Sequence, residues 1–302
     1  MTEFYEQVKE RLMRYVRINT ESNPHSTSVP TTSCQHDLAS VIYEELQKIE
    51  ATNVYYDKET CVVYGSLEAN VKTGRAIGFV THMDTAPDAS GKDVKPWVLE
   101  NYDGNDIVLN KEKDIVMSPS VFPNLKQYIG QDLILTDGTT LLGGDDKASI
   151  AAVMTLLEYL VKHPEIKHNF ISVAFTPDEE VSGLAKDLDL ERFKSPIAYT
   201  LDGDHLGYYM DETFNASLST IEIHGISVHT ATAKGIMKNA VDIGNAFLNK
   251  LPALEKPQYT QGREGFYHVV SFNGDCEYAK IEINVRDHDS LQFDIRNNTL
   301  KM

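Results

Sequence analysis

Three short apolar runs each end in a cluster of ligand-type side chains, and this narrows the fold more than any other feature of the chain. Ala76 to Thr81 (AIGFVT) runs into His82-Met83-Asp84. Asn169 to Thr176 (NFISVAFT) runs into Pro177-Asp178-Glu179-Glu180, and Pro196 to Leu201 (PIAYTL) runs into Asp202-Gly203-Asp204. Short apolar runs of this kind read as buried strands. Between the first two lies Leu142-Gly143-Gly144-Asp145-Asp146-Lys147, and good helix formers continue to Leu160, which reads as a helix with an acidic start. Strands separated by helices predict an α/β layer with a mixed, mostly parallel sheet. In open α/β sheets, ligands gather beyond the carboxyl ends of the strands. The four polar clusters therefore converge on one site if the strands are neighbours.

The pattern changes further along. Phe4, Val8, Leu12 and Val16 recur every four positions and predict an amphipathic first helix; a second is expected from about Leu38 to Ile49. From about Tyr209 the chain reads as a smaller α+β unit. Ser217 to His224 alternates as a half-buried strand, and Asn239 to Leu251 is helical and stops at Pro252. Tyr267 to Phe272 and Tyr278 to Val285 read as a strand pair, and a last helix begins near Ser290. The expected domains are 1–208 and 209–302.

Composition removes several alternatives. A length of 302 residues allows a large core, and a net charge of −17 argues against a nucleic-acid-binding face. Cys34, Cys61 and Cys276 are too few and too scattered for a disulfide framework or a CxxC metal site. The N-terminus is charged throughout and lacks the apolar core of a signal peptide, and no apolar run is long enough to span a bilayer. A cytoplasmic protein with reduced thiols is the expectation.

The ligand set itself, histidine and carboxylates without cysteine, suits zinc or a similar divalent ion. In His82-x-Asp84 the carboxylate can accept the proton of the second imidazole nitrogen and fix the tautomer. Asp145, at a helix start preceded by glycines, can bridge two metals. Of the adjacent Glu179 and Glu180, one can bind metal while the other serves as a general base. Each motif alone has a bland reading as a cap, a turn or a solvated face. The ordered set, with every member at a strand end or a helix start, carries the signal.

At the level of whole segments the chain resembles the peptidase T family, the bacterial tripeptide aminopeptidases among the co-catalytic zinc peptidases of family M20. The matching stretches include THMDTAPDASGKDVKP, ILTDGTTLLGGDDKASIA, VAFTPDEEVSG, AYTLDGD, GISVHTATAKGIMKNA and INVRDHDSLQFDIR. The resemblance implies a catalytic zinc-binding domain followed by a lid or dimerisation domain. It implies that His82, Asp145 and Asp202 hold one zinc, that Asp145 and Glu180 serve a second, and that Asp84 orients the histidine. Glu179 is then the general base for a zinc-activated water that releases the N-terminal residue of a tripeptide. His229 and Arg286 match residues that reach the substrate, His229 from the partner subunit of a homodimer. Short peptides are the implied partners.

The chain departs from the family pattern in places. Gly144 and Ser149 stand where alanine and glycine are usual, VSGL follows the Glu pair in place of a more glycine-rich stretch, and Thr230-Ala231 replaces Pro-Gly. The resemblance also implies one more histidine ligand for the second zinc, in a segment beyond the point where this sequence stops. None of the remaining histidines matches it, His205 being the nearest in sequence to a ligand. The expectation is one nearly complete zinc site and one lacking a ligand, with at most one firmly held zinc. The alternative reading is a truncated, catalytically impaired zinc-binding or dimerising derivative of such an enzyme.

Overall fold

The computed structural model describes residues 2–72, 74–181, 188–203 and 206–301. They form two compact units, Met1–Tyr208 and Tyr209–Met302.

In the first unit a five-stranded sheet has the order β1-β2-β8-β3-β9, with β1 at Thr52–Asp57, β2 at Val62–Leu67, β3 at Ile77–His82, β8 at Ile171–Thr176 and β9 at Ala198–Thr200. The sheet is mixed. β1, β2 and β8 pair antiparallel, whereas β3 lies parallel to both β8 and β9. The register sets His82 opposite Thr176 and Val80 opposite Thr200. The carboxyl ends of β8, β3 and β9 are therefore neighbours, which is the condition for their polar clusters to converge. The β1–β2 hairpin was not anticipated from the sequence.

Every residue of β2 and β8 is buried, as expected of strands covered on both faces. One cover is built from α1 (Thr2–Tyr15), α2 (Gln35–Lys48) and α3 (Gly144–Lys162). Leu12 and Tyr15 of α1, Leu38, Ile42 and Leu46 of α2, and Ile150, Met154 and Leu157 of α3 share one apolar cluster with β8. Arg11, itself buried, joins the three helices: its guanidinium donates to Thr155 Oγ1 at 2.8 Å and pairs with Glu158 and Glu45. Tyr15 donates to the same Glu45 at 2.7 Å. On the other face Phe193 of α4 (Leu190–Phe193) lies against Gly78 of β3, where any side chain at 78 would overlap the ring. Because Leu157 is fully buried in the main cluster, Leu157→Ala is expected to cost about 2–5 kcal/mol, read as a lowered thermal or urea midpoint.

Between β3 and α3 the chain builds two short antiparallel pairs. β4 (Trp97–Leu99) pairs with β7 (Leu133–Leu135), and β5 (Ile107–Asn110) pairs with β6 (Ile115–Met117), around Tyr102, Ile107 and Leu135.

In the second unit β10 (Asn215–His224), β12 (Tyr278–Asp287) and β11 (Phe266–Gly274) form an antiparallel sheet with β12 in the middle. Ala279, Ile281, Ile283 and Val285 of β12 are fully buried at alternate positions, so one face is apolar. Phe247 and Leu248 of α5 (Ala240–Leu248) and Phe293 of α6 (Ser290–Thr299) pack on that face. Asn239 and Asp289 cap these helices by accepting N–H groups of their first turns. Among the described residues no helix is long and apolar enough to cross a membrane.

Candidate active site

His82 is the last residue of β3 and is almost completely buried. Its Nδ1 lies 3.1 Å from the Asp84 carbonyl oxygen and 3.3 Å from Asp84 Oδ1, and its Nε2 lies 2.9 Å from Asp145 Oδ1. Acceptor oxygens flank both ring nitrogens. Burial opposes the charged ring, but the hydrogen bond and charge of Asp84, with Asp146 and Asp145 beyond, outweigh it and raise the pKa to about 10. A protonated ring would donate from Nδ1 to Asp84 and from Nε2 to Asp145.

Asp145 comes from the irregular start of α3. Gly143 occupies the left-handed region (φ 78°), and neither Asp145 nor Asp146 has a helical backbone; a cis peptide joins the two. A chain that must leave a left-handed residue and enter a helix within three positions has reason to place glycine there. The two acids then part company. Asp145 is exposed, while Asp146 turns inward and accepts the His82 backbone N–H at 3.2 Å. Burial raises the Asp146 carboxyl to about 7, against the lowering effect of Ser149 and His82. Ser149 also donates to the carbonyl of Leu201, the residue before Asp202, and so ties α3 to the end of β9.

His82, Asp145 and Asp202 thereby offer three donor atoms within 4.8 Å of one another. Zinc-ligand bonds of about 2.0–2.2 Å bring the donors of one ion to within about 3–4 Å of each other, so small side-chain adjustments close this set on a metal. One imidazole nitrogen, once it has given up its proton, and two carboxylates are a fitting donor set for a divalent ion. Val80, Thr81, Thr176, Thr200 and Glu179 line the adjoining cavity of about 170 Å³ together with His82, Asp146 and Asp202.

Asp84 is the joint of the site. It is fully buried, and besides facing His82 it accepts the backbone N–H of Glu179 on Oδ1 at 2.9 Å and that of Glu180 on Oδ2 at 3.1 Å. The Glu pair, in a single 3₁₀ turn Glu179–Val181, is thus anchored by the residue that orients the imidazole. Burial and the surrounding carboxylates raise both glutamates above the usual range: Asp202, Asp84 and Asp145 act on Glu179, and Asp145 foremost on Glu180, with His82 opposing in each case. Glu180 is not part of the three-donor cluster.

Two buried ionisable groups beside the site were not singled out from the sequence. Asp178 is held by Thr31 and Gln35 of the N-terminal segment. Lys147 donates to the Ile18 carbonyl at 2.8 Å, and burial lowers its ammonium to about 8. A signal for Lys147 exists: it shares the 147, 150, 151, 154 face of α3 with apolar residues. Asp178 falls in a strand-end acidic cluster, but no local pattern separates it from the glutamates that follow.

The remaining expected residues lie in the second unit. His229 is exposed, caps the 3₁₀ turn Thr230–Thr232, and accepts the Ala231 N–H on Nδ1 at 3.2 Å, which leaves its proton on Nε2. Arg286, also exposed, lies on β12 with its guanidinium 4.8 Å from the centre of the Phe214 ring. Asp204, His205 and the Ser182 to Leu184 stretch lie outside the described residues.

Residues 212–301 match the family model of the peptidase dimerisation domain. The chain is 47% identical over 295 residues to peptidase T of Alkaliphilus oremlandii, covering 97% of this chain and 72% of that protein. In fold it is similar to the aminopeptidase PepT from Bacillus cereus, with a TM-score of 0.67 at 21% identity, covering 98% of this chain and 70% of the other. It is also similar to a dinuclear metal-binding peptidase of the M20 family from Bacillus subtilis, with a TM-score of 0.55 at 11% identity, covering 99% and 69%. With nearly half its residues identical over almost its whole length, and with histidine and carboxylate donors gathered at neighbouring strand ends, the chain belongs to the peptidase T family of M20 metallopeptidases.

Proposed function

We propose that this chain is a zinc-dependent aminopeptidase that releases the N-terminal residue of tripeptides. The observation that carries the reading is the three-donor cluster of His82, Asp145 and Asp202 with Glu179 on the same cavity wall. His82, Asp145 and Asp202 would hold one zinc, with Asp145 and Glu180 turned to a second. Bound there, zinc would supply Lewis acidity for the scissile carbonyl and would make water acidic enough to be deprotonated near neutral pH.

The protein's own groups do the rest. Glu179 takes the proton of the attacking water and hands it to the departing amine, so it must act first as base and then as acid. A carboxyl raised above its ordinary value suits both steps better than a fully solvated one. Asp84 keeps a hydrogen-bond acceptor on Nδ1 of His82, so that Nε2 is the nitrogen turned to the metal. His229 of the partner subunit would donate from Nε2 to the oxyanion of the tetrahedral species, a role its Nδ1 hydrogen bond prepares. Arg286 pairs with the peptide's terminal carboxylate. The protein works as a homodimer through its dimerisation domain.

The test is direct. The purified chain, supplied with zinc, is incubated with an unmodified tripeptide and with the same peptide acetylated at its N-terminus. Release of the N-terminal residue from the first alone is the expected result. Equal cleavage of both, or of neither, would remove the proposal.

A further inference from the structure

The N-terminal segment is bound to the backbone that carries Glu179 and Glu180. Asp178, the residue before the pair, sits at φ 60°, in the left-handed region that a residue other than glycine occupies at a cost. It is 2% exposed, and its carboxylate is fully engaged. Oδ2 accepts the Thr31 backbone N–H at 2.8 Å, while Oδ1 accepts the Thr31 hydroxyl at 2.5 Å and Gln35 Nε2 at 2.7 Å. Gln35, itself fully buried, answers by accepting the Asp178 N–H on Oε1 at 3.2 Å. That second bond fixes which way the Gln35 amide faces. The same segment is held on the other side of the site: Ser22 donates through both N and Oγ to the carbonyl of Thr85, the residue after Asp84.

We propose that Asp178 is a positioning residue for Glu179 and Glu180, and that Thr31 and Gln35 complete the clamp. The left-handed turn at Asp178 aims the next two residues so that both their N–H groups reach the Asp84 carboxylate. Asp84 alone could hold those N–H groups in more than one way; a fixed residue 178 leaves one. The clamp thus sets where the Glu179 carboxyl stands relative to His82. The inference rests on the role assigned to Glu179.

Asp178→Asn tests it. An amide replaces one acceptor oxygen by an N–H₂ group, and in either orientation that group meets a donor: the Thr31 N–H on one side, Gln35 Nε2 on the other. Misplacement of a reacting group by about 1 Å costs roughly 100-fold, so kcat on the tripeptide is expected to fall about 10–100-fold with KM within about twofold. Zinc affinity at the site of His82, Asp145 and Asp202 is expected to hold, since those three residues lie on other segments. Amide exchange of Glu179 and Glu180 should quicken by about tenfold or more while that of Val173 and Phe175 in β8 stays unchanged. Unchanged kcat, or exchange that quickens equally throughout β8, would overturn the inference. If the unaltered chain cleaves no peptide, the proposed function falls and the exchange rates at Glu179 and Glu180 alone decide the clamp. Should Asp178→Asn not fold, Thr31→Val keeps the backbone bond to Asp178 but removes the hydroxyl, which also accepts the Asn23 N–H at 3.0 Å, and is expected to show the same pattern on a smaller scale, with no local change counting against the clamp.

Discussion

Glu179→Gln is expected to lower kcat by about 10²–10⁴-fold, the usual contribution of a positioned general base and acid. The substitution keeps the shape of the side chain and leaves the Glu179 backbone N–H on Asp84, so the turn that holds Glu180 persists. It removes only the ability to accept and return a proton. Zinc content, measured by elemental analysis, should match that of the unaltered protein, and KM should change little. A variant retaining more than about a tenth of the activity would show that another group moves the proton.

His82→Ala is expected to have the largest effect on metal binding. It deletes the nitrogen donor of the three-member set and leaves two exposed carboxylates. Loss of an outer partner of a metal ligand costs about 10–100-fold in affinity, so Asp84→Asn should fall in that range and His82→Ala beyond it. Competition with a chelator of known affinity gives both values. Affinity for zinc within tenfold of the unaltered chain in His82→Ala would rule out this cluster as the principal site.

The same histidine fixes the sign of a pH effect. With its pKa raised to about 10, the ring holds two protons at neutral pH until a metal takes Nε2. A metal on Nε2 must displace one of them while Nδ1–H stays on Asp84. Zinc affinity should therefore rise by about tenfold per pH unit from this group alone, with close to one proton released per ion near pH 7. Calorimetry in buffers of different ionisation enthalpy measures that release. For folding stability the sign is opposite. His82 contributes stability that is complete below its ordinary value of 6.5 and fades as the pH rises through about 10.

Much of this site was legible in the chain. His82, Asp145 and Asp202 were read from strand ends and a helix start because burial writes itself into sequence as continuous apolar runs, and a run that stops at charged residues marks where a buried strand surfaces. The glycines before Asp145 announced a backbone that ordinary residues resist. The β1–β2 hairpin and the small β4 to β7 region were not legible. β4 to β7 are only three or four residues each, with a register shift in the β5–β6 pair, while β2 is buried throughout and the β1–β2 pairing is broken by a register shift, so neither region shows a sustained period of two. Asp178 was hidden for a different reason. Its partners lie 143 and 147 positions away, and within the strand-end cluster nothing local separates it from the glutamates beside it.

The sequence by itself determined the chemistry available and the places where it surfaces: one imidazole and several carboxylates, each at the end of an element the apolar pattern defines. Only the tertiary structure decided which of them meet. Parallel pairing of β3 with both β8 and β9 puts three carboxyl ends side by side. The irregular entry to α3 turns Asp145 toward His82 and Asp146 into the core. Pairing partners and buried hydrogen bonds are long-range contacts, and their free energy belongs to no single stretch of chain. That is why the strand ends could be read as candidates, and why their union into one site had to come from the fold.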